Sequence, residues 1–236
     1  IAARNLANEI EPEAVDALVA ACESEFDIVH RYYRLKRHLL GLDELFDFDR
    51  YAPITADNAT YPWSRCREIV IESYAAFSDT LGAIAVRAFD EHWIDGELRV
   101  GKRGGAFSAG ATTNSHPYVL CNYTDRIRDV MTVAHELGHA AHQFLSRDVG
   151  YLQAHTPLTT AETASVFGEM LVFRHLLAAQ PSDAARLSLL ASKIEDSFAT
   201  VFRQIVMHRF EYAAHTARRE EGELAAERIS ELWIEA

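Results

Sequence analysis

Apolar positions along this chain recur mainly at helical spacing, every third or fourth residue, and alternate in few places. Pro12 can open a helix read through Val15, Leu18, Val19, Cys22 and Phe26, because a helix's first turn has N–H groups without intrahelical partners and tolerates proline. A second helix is predicted from Ile28 to Leu40, with Tyr32, Tyr33, Leu35 and Leu39 as apolar positions and Gly41-Leu42-Asp43 as its stop. Residues 43–61 read as an irregular connection. Pro62 begins a helical stretch to about His92, with a break near Asp79 to Gly82. β character is confined to one region. Gly96 to Val100, the glycine-rich run Gly101-Lys102-Arg103-Gly104-Gly105-Ala106-Phe107-Ser108-Ala109-Gly110, and His116 to Tyr123 read as short strands joined by glycine turns. Helical patterning returns from about Arg126 to Leu145, from Pro157 to Leu171, and from Ser182 to Glu221, with a last piece after Gly222. The predicted class is mainly α with a small β-sheet.

The helix at 126–145 carries His135-Glu136-Leu137-Gly138-His139. Four residues turn an α-helix by about 400°, so the two imidazoles lie roughly 40° apart on one face and about 6 Å apart along it. Both can reach one metal ion, and Glu136 projects beside it, placed to take a proton from a metal-bound water. A hydrolytic zinc site keeps three protein ligands and one open position. His142 returns to nearly the same face but lies about 10.5 Å further along the axis than His135. It therefore reads as a support for the ligands, or as a polar residue at the rim of the helix, rather than as a ligand. The better third donor is a carboxylate from the next helix. Glu162 and Glu169 are seven residues apart on a run rich in small residues, with Ser165 between them. A carboxylate on so apolar a helix needs a partner. A metal for Glu162 and a ligand-histidine N–H for Glu169 would supply those partners.

The strands before the motif have a reading of their own. An extended peptide can be held by main-chain hydrogen bonds to an exposed sheet edge, and Gly104, Gly105 and Gly110 would let its backbone come close. Gly105, Ala106, Phe107, His116 and Tyr118 are the candidates for contacting it. The alternative is a glycine-rich hairpin that only positions the helix. Lys102 and Arg103 either meet substrate carboxylates or lie solvated in a turn.

Composition narrows the partners. With 236 residues, 49% hydrophobic and 25% charged, the chain is that of an ordinary globular protein. A net charge of −12 argues against nucleic acid and against anionic membranes. Cys22, Cys66 and Cys121 are widely spaced and suggest neither a disulfide framework nor a cysteine metal site. No signal peptide or membrane span is legible, so a cytoplasmic setting is expected. The chain starts without Met and stops inside a helical pattern. It is expected to be a single catalytic-domain segment, 1–236, of a longer protein.

Three runs, Gly101-Lys102-Arg103-Gly104-Gly105-Ala106-Phe107-Ser108, His116-Pro117-Tyr118-Val119-Leu120 and Ala134-His135-Glu136-Leu137-Gly138-His139-Ala140-Ala141-His142, together resemble one family. It is the oligoendopeptidase F branch of the thimet-oligopeptidase-like zinc metallopeptidases. Ala161-Glu162-Thr163-Ala164-Ser165-Val166-Phe167-Gly168-Glu169 is similar to that family's third-ligand segment, and Tyr32-Tyr33-Arg34-Leu35-Lys36 and Phe48-Asp49-Arg50-Tyr51-Ala52-Pro53 extend the likeness. The resemblance implies a neurolysin-like helical zincin core with a small sheet beside the motif helix. It implies one Zn2+ held by His135, His139 and Glu162, with Glu136 as general base and Glu169 and His142 around the ligands. It also implies cleavage of short oligopeptides in a deep channel. The family's transition-state-stabilising His and tyrosines belong to a more C-terminal segment that nothing here matches; His208, Tyr212 and His215 read as structural. The expected function is a zinc-dependent endopeptidase. The alternatives are a zinc carboxypeptidase or other amide hydrolase, or a non-catalytic zinc- or peptide-binding module.

Overall fold

The structure, a computed structural model, describes residues 2–55 and 59–236. Helix α1 (Ala2–Ala7) precedes α2 (Pro12–Ser24), α3 (Phe26–Leu40), α4 (Trp63–Phe77) and α5 (Asp79–Asp90). Strands β1 (Ile94–Asp95), β2 (Phe107–Ala109) and β3 (Tyr118–Leu120) come next. Then follow α6 (Ile127–Leu145), α7 (Leu158–Ala178), α8 (Asp183–Thr200), α9 (Phe202–Glu220) and α10 (Ala226–Glu235). Short 3-10 turns occupy Asp47–Asp49 and Ser146–Val149. No helix among the described residues is long and apolar enough to cross a membrane. The three cysteines are free and buried, and burial pushes the Cys66 thiol up to about 12 and that of Cys121 up to about 11.

The chain forms two compact units, one of Ile1–Ala56 with Ser182–Ala236 and one of Asp57–Pro181. In the first, Val19 and Cys22 of α2 pack on Ile205 of α9, with Val15 and Phe202 against them. Two residues on the predicted apolar sides, Leu18 and Leu35, are exposed instead. Lys36, one position past Leu35, is wholly buried. A buried ammonium is tolerable only when paired and hydrogen-bonded, and Lys36 Nζ donates to Glu195 Oε1 and to the Arg50 carbonyl, each at 2.5 Å. The Tyr32 hydroxyl donates to the same carboxylate oxygen at 2.6 Å. Burial, reinforced by that bond to Glu195, raises the phenol's pKa. The predicted helix from Ser182 to Glu221 is two helices, interrupted at Val201, whose ψ of −72° lies at the edge of the helical range. Ser182 does cap the first of them, its hydroxyl accepting the Ala185 N–H at 3.2 Å.

In the second unit the break in the Pro62 stretch falls earlier than predicted, at Ser78, whose hydroxyl caps α5. The first strand also lies earlier, at Ile94–Asp95 rather than Gly96 to Val100. Arg99 and Lys102 instead turn back onto Asp95, with Arg99 Nη1 2.9 Å and Lys102 Nζ 3.0 Å from its Oδ1. Lys102 also donates to the carbonyls of Asp95, Glu97 and Cys121 at 2.9, 2.8 and 2.7 Å. Its side chain is 4% exposed, so it staples the sheet from inside instead of standing solvated in a turn. Gly105 adopts φ +85°, a conformation that side-chain-bearing residues resist, and makes the turn before β2.

The strand order is β1-β3-β2, β1 parallel and β2 antiparallel to β3. Val119 and Cys121 donate their N–H groups to the Trp93 and Asp95 carbonyls at 2.9 and 3.0 Å, toward β1. Tyr118 and Leu120 therefore face β2, where they pair with Ala109 and Phe107. Ser108 lies opposite Val119, and its main-chain groups point away from β3, where its carbonyl accepts from Gln143.

Candidate metal centre

Asp129 sets the start of α6. Its Oδ2 accepts the Thr124 N–H at 2.7 Å, the Thr124 hydroxyl at 2.6 Å and the Arg126 N–H at 3.2 Å, satisfying donors at the helix entrance. Helices α6 and α7 then approach closely, and two glycines make that possible. A Cβ on Gly138 would lie 2.5 Å from the Ala164 carbonyl oxygen and 2.7 Å from Ser165 Cα. A Cβ on Gly168 would collide with the Tyr74 hydroxyl and come within 3.1 Å of the Ala134 carbonyl oxygen. Tyr74, from α4, donates its hydroxyl to that same Ala134 carbonyl at 2.6 Å. Three helices are thus bolted together one residue before His135.

This packing brings the two sets of side chains face to face. Glu162 Oε2 lies 3.3 Å from His135 Nε2 and 3.5 Å from His139 Nε2. One donor atom from each of the three residues lies within 4.8 Å of the others. Ligands about 2.1 Å from a tetrahedral zinc ion are about 3.4 Å apart, so two nitrogens and one carboxylate oxygen at these separations fit such an ion. Ser165, buried, donates its hydroxyl to Glu162 Oε2 at 2.7 Å and holds that carboxylate in place. On the far side, His135 Nδ1 is 3.2 Å from Glu169 Oε2. A carboxylate there accepts the Nδ1 proton, which leaves the Nε2 lone pair turned toward Glu162.

Electrostatics differ between the members. Glu136 is 7% exposed, and burial raises its pKa above the usual carboxylate range, with His135 opposing and Glu162 adding to the rise. Burial works against a protonated His135, yet the Glu169 bond and the charges of Glu136, Glu162 and Glu169 outweigh it and raise its pKa. His139 is lowered, by burial first and by the two neighbouring histidines, against the pull of Glu162. Glu162 itself is 55% exposed.

The structure gathers His135, Glu136, His139, Glu162 and Glu169 into one cluster. His142 stands outside the three converging donors and lines the cavity next to His139. Gly105 lies in the turn before β2, and Ala106 leads into the strand. Phe107 and Tyr118 project from the sheet face opposite to Ser108 and Val119, and both are exposed. His116 stacks on Trp93, with ring centroids 5.2 Å apart and planes 2° apart, and its ring touches Tyr118. Residues without a sequence signal complete the frame. Gln143 of α6 accepts the Ser108 hydroxyl at 2.8 Å and donates to the Ser108 carbonyl at 3.2 Å, tying the edge strand to the motif helix. Tyr74 lies 61 positions before the motif in a helix that looks ordinary. Gly138 and Gly168 were visible inside the two motifs, but only the crossing gives them a purpose.

The chain is similar to known proteins along nearly its whole length. The family profile described as peptidase family M3 matches residues 1–236. The Streptococcus agalactiae protein named group B oligopeptidase PepB is 30% identical over 230 residues, 97% of this chain and 38% of that protein. The Bacillus subtilis oligopeptidase PepF is 29% identical over 230 residues, 97% of this chain and 34% of that one. Among solved structures, a Chlamydophila abortus protein superposes with a TM-score of 0.80 at 28% identity, covering 97% of this chain and 39% of its own. The oligoendopeptidase-F of Enterococcus faecium shares the fold with a TM-score of 0.60 at 22% identity, over 97% of this chain and 33% of its own. The chain thus spans little more than a third of the length of these relatives. By its profile match, its relatives and its mainly helical fold, the chain belongs to peptidase family M3, on the oligoendopeptidase F branch.

Proposed function

We propose that this chain is the metal-binding core of a zinc-dependent endopeptidase acting on short oligopeptides. The observation that carries the reading is the convergence of His135 Nε2, His139 Nε2 and Glu162 Oε2 beside a buried Glu136. The printed names of the relatives, oligopeptidases and oligoendopeptidases F, support the substrate class. His135, His139 and Glu162 would hold a zinc ion, which would supply Lewis acidity toward the scissile carbonyl and acidify water. Glu136 accepts the proton of the attacking water and returns it to the leaving amine. Glu169 keeps the His135 ring turned and in the right tautomer, while Ser165 does the same for the Glu162 carboxylate. The outer edge of β2, where the Ser108 carbonyl already accepts from Gln143, is where an extended peptide pairs through the remaining main-chain groups.

The test is Glu136→Gln in the intact protein, assayed on an internally quenched oligopeptide with zinc content measured in parallel. The expected outcome is full zinc occupancy with turnover lower by about 10²–10⁴-fold. Undiminished turnover with zinc bound would remove Glu136 from the chemistry.

A further inference from the structure

A cavity of about 110 Å³ adjoins the cluster, and His139 forms part of its wall. Its wall also includes His142 and Gln143 on α6, Gly110 and Thr112 just after β2, Arg147, and His155 in the loop before α7. The volume is well above the roughly 30 Å³ share of one water molecule. Arg147 is its one formally charged lining residue. The guanidinium is held in place without a carboxylate partner. It lies over the Phe144 ring, 3.6 Å from the centroid, while Nε donates to the Phe144 carbonyl at 3.0 Å and Nη1 to the Ser115 carbonyl at 3.2 Å. Both acceptors are neutral, and Arg147 forms no ion pair among the described residues. Nη2 has no hydrogen-bond partner among them either. In a chain of net charge −12, a fixed, unpaired guanidinium beside imidazole donors is arranged for an anion that arrives from outside.

We propose that this cavity is a subsite for a substrate carboxylate, with Arg147 as the residue that selects it. The assignment rests on the peptide-hydrolase reading above and adds a specificity to it. Main-chain direction decides which carboxylate enters. A peptide antiparallel to β2 carries its N-terminal portion past Gly110 and Thr112, so an acidic side chain before the scissile bond reaches Arg147. A parallel peptide brings its C-terminal carboxylate there instead.

The experiment uses the intact, zinc-loaded protein and matched quenched peptides. One series carries Glu or Gln at each position before the cut, and the other ends in an acid or an amide. One series is expected to show an acid preference of about tenfold or more in kcat/KM, mostly through KM. Arg147→Gln removes the preference, and Arg147→Lys, which keeps the charge without the planar fork, retains part of it. Calorimetric titration of the product peptides supplies a readout independent of turnover, with the acid binding more tightly than its neutral partner. Equal cleavage and equal binding of acid and neutral peptides by the unsubstituted protein overturns the subsite. So does an acid preference that survives in Arg147→Gln. Absence of cleavage of every peptide overturns the hydrolase reading instead, and the titrations then decide the subsite alone.

Discussion

Glu162 and Glu169 show what a residue's spacing reveals and what it hides. Their seven-residue separation places both on one side of α7, and both do face the histidines of α6. The reason inferred for their pairing holds for only one of them. The Glu169 side chain is largely buried and needs the His135 N–H, whereas Glu162 stands half in solvent and carries no such burial cost. Its orientation comes from Ser165, whose part depends on a side-chain rotamer that no periodicity encodes. Glu169→Gln keeps the size of the side chain and removes its charge. Zinc affinity, measured by competition with a chromogenic chelator, is expected to fall by about 10–100-fold. An unchanged affinity would show that Glu169 does not act on the metal site through His135.

At the scale of elements, the helices that hold the site were legible because their apolar residues repeat over long runs. The motif helix matches its predicted bounds to within one residue at its start. Short elements were not. A two-residue strand such as Ile94–Asp95 has too few positions to show alternation, and only its pairing with Val119 and Leu120 reveals it. The interruption at Val201 lacks a glycine or proline to mark it. That α7 meets α6 was expected from its carboxylates and small residues, but the tightness of the crossing was not, since it depends on which glycine meets which neighbour. Gly168→Ala tests that crossing. The added methyl must displace the Tyr74 hydroxyl or the Ala134 carbonyl, and overpacking of this kind costs about 1–3 kcal/mol. Urea unfolding should show a lower midpoint with an unchanged slope. A midpoint equal to that of the unsubstituted protein would mean that the helices separate without penalty.

For the molecule as a whole, the metal is expected to be a stabiliser of the unit Asp57–Pro181, which contains all three donors. A ligand that binds only the folded state, at a thousandfold excess over its dissociation constant, adds about 4.1 kcal/mol. Chelation should therefore lower the urea concentration at which this unit opens. The chain happens to carry its own reporters. It has three lysines, Lys36, Lys102 and Lys193. Lys36 is sealed inside one unit and Lys102 inside the other, each surrounded by oxygen acceptors. An amine-acylating reagent cannot reach either Nζ until the surrounding structure opens. Mass-spectrometric counting of acyl groups at these two sites should separate the opening of one unit from that of the other, residue by residue. With zinc stripped, Lys102 should become acylated at lower urea than in the loaded protein; an identical midpoint for Lys102 in both would argue that no metal supports that unit. The stapling that keeps Lys102 out of solvent thus makes it a chemical clock for the integrity of the metal site, without any label having to be introduced.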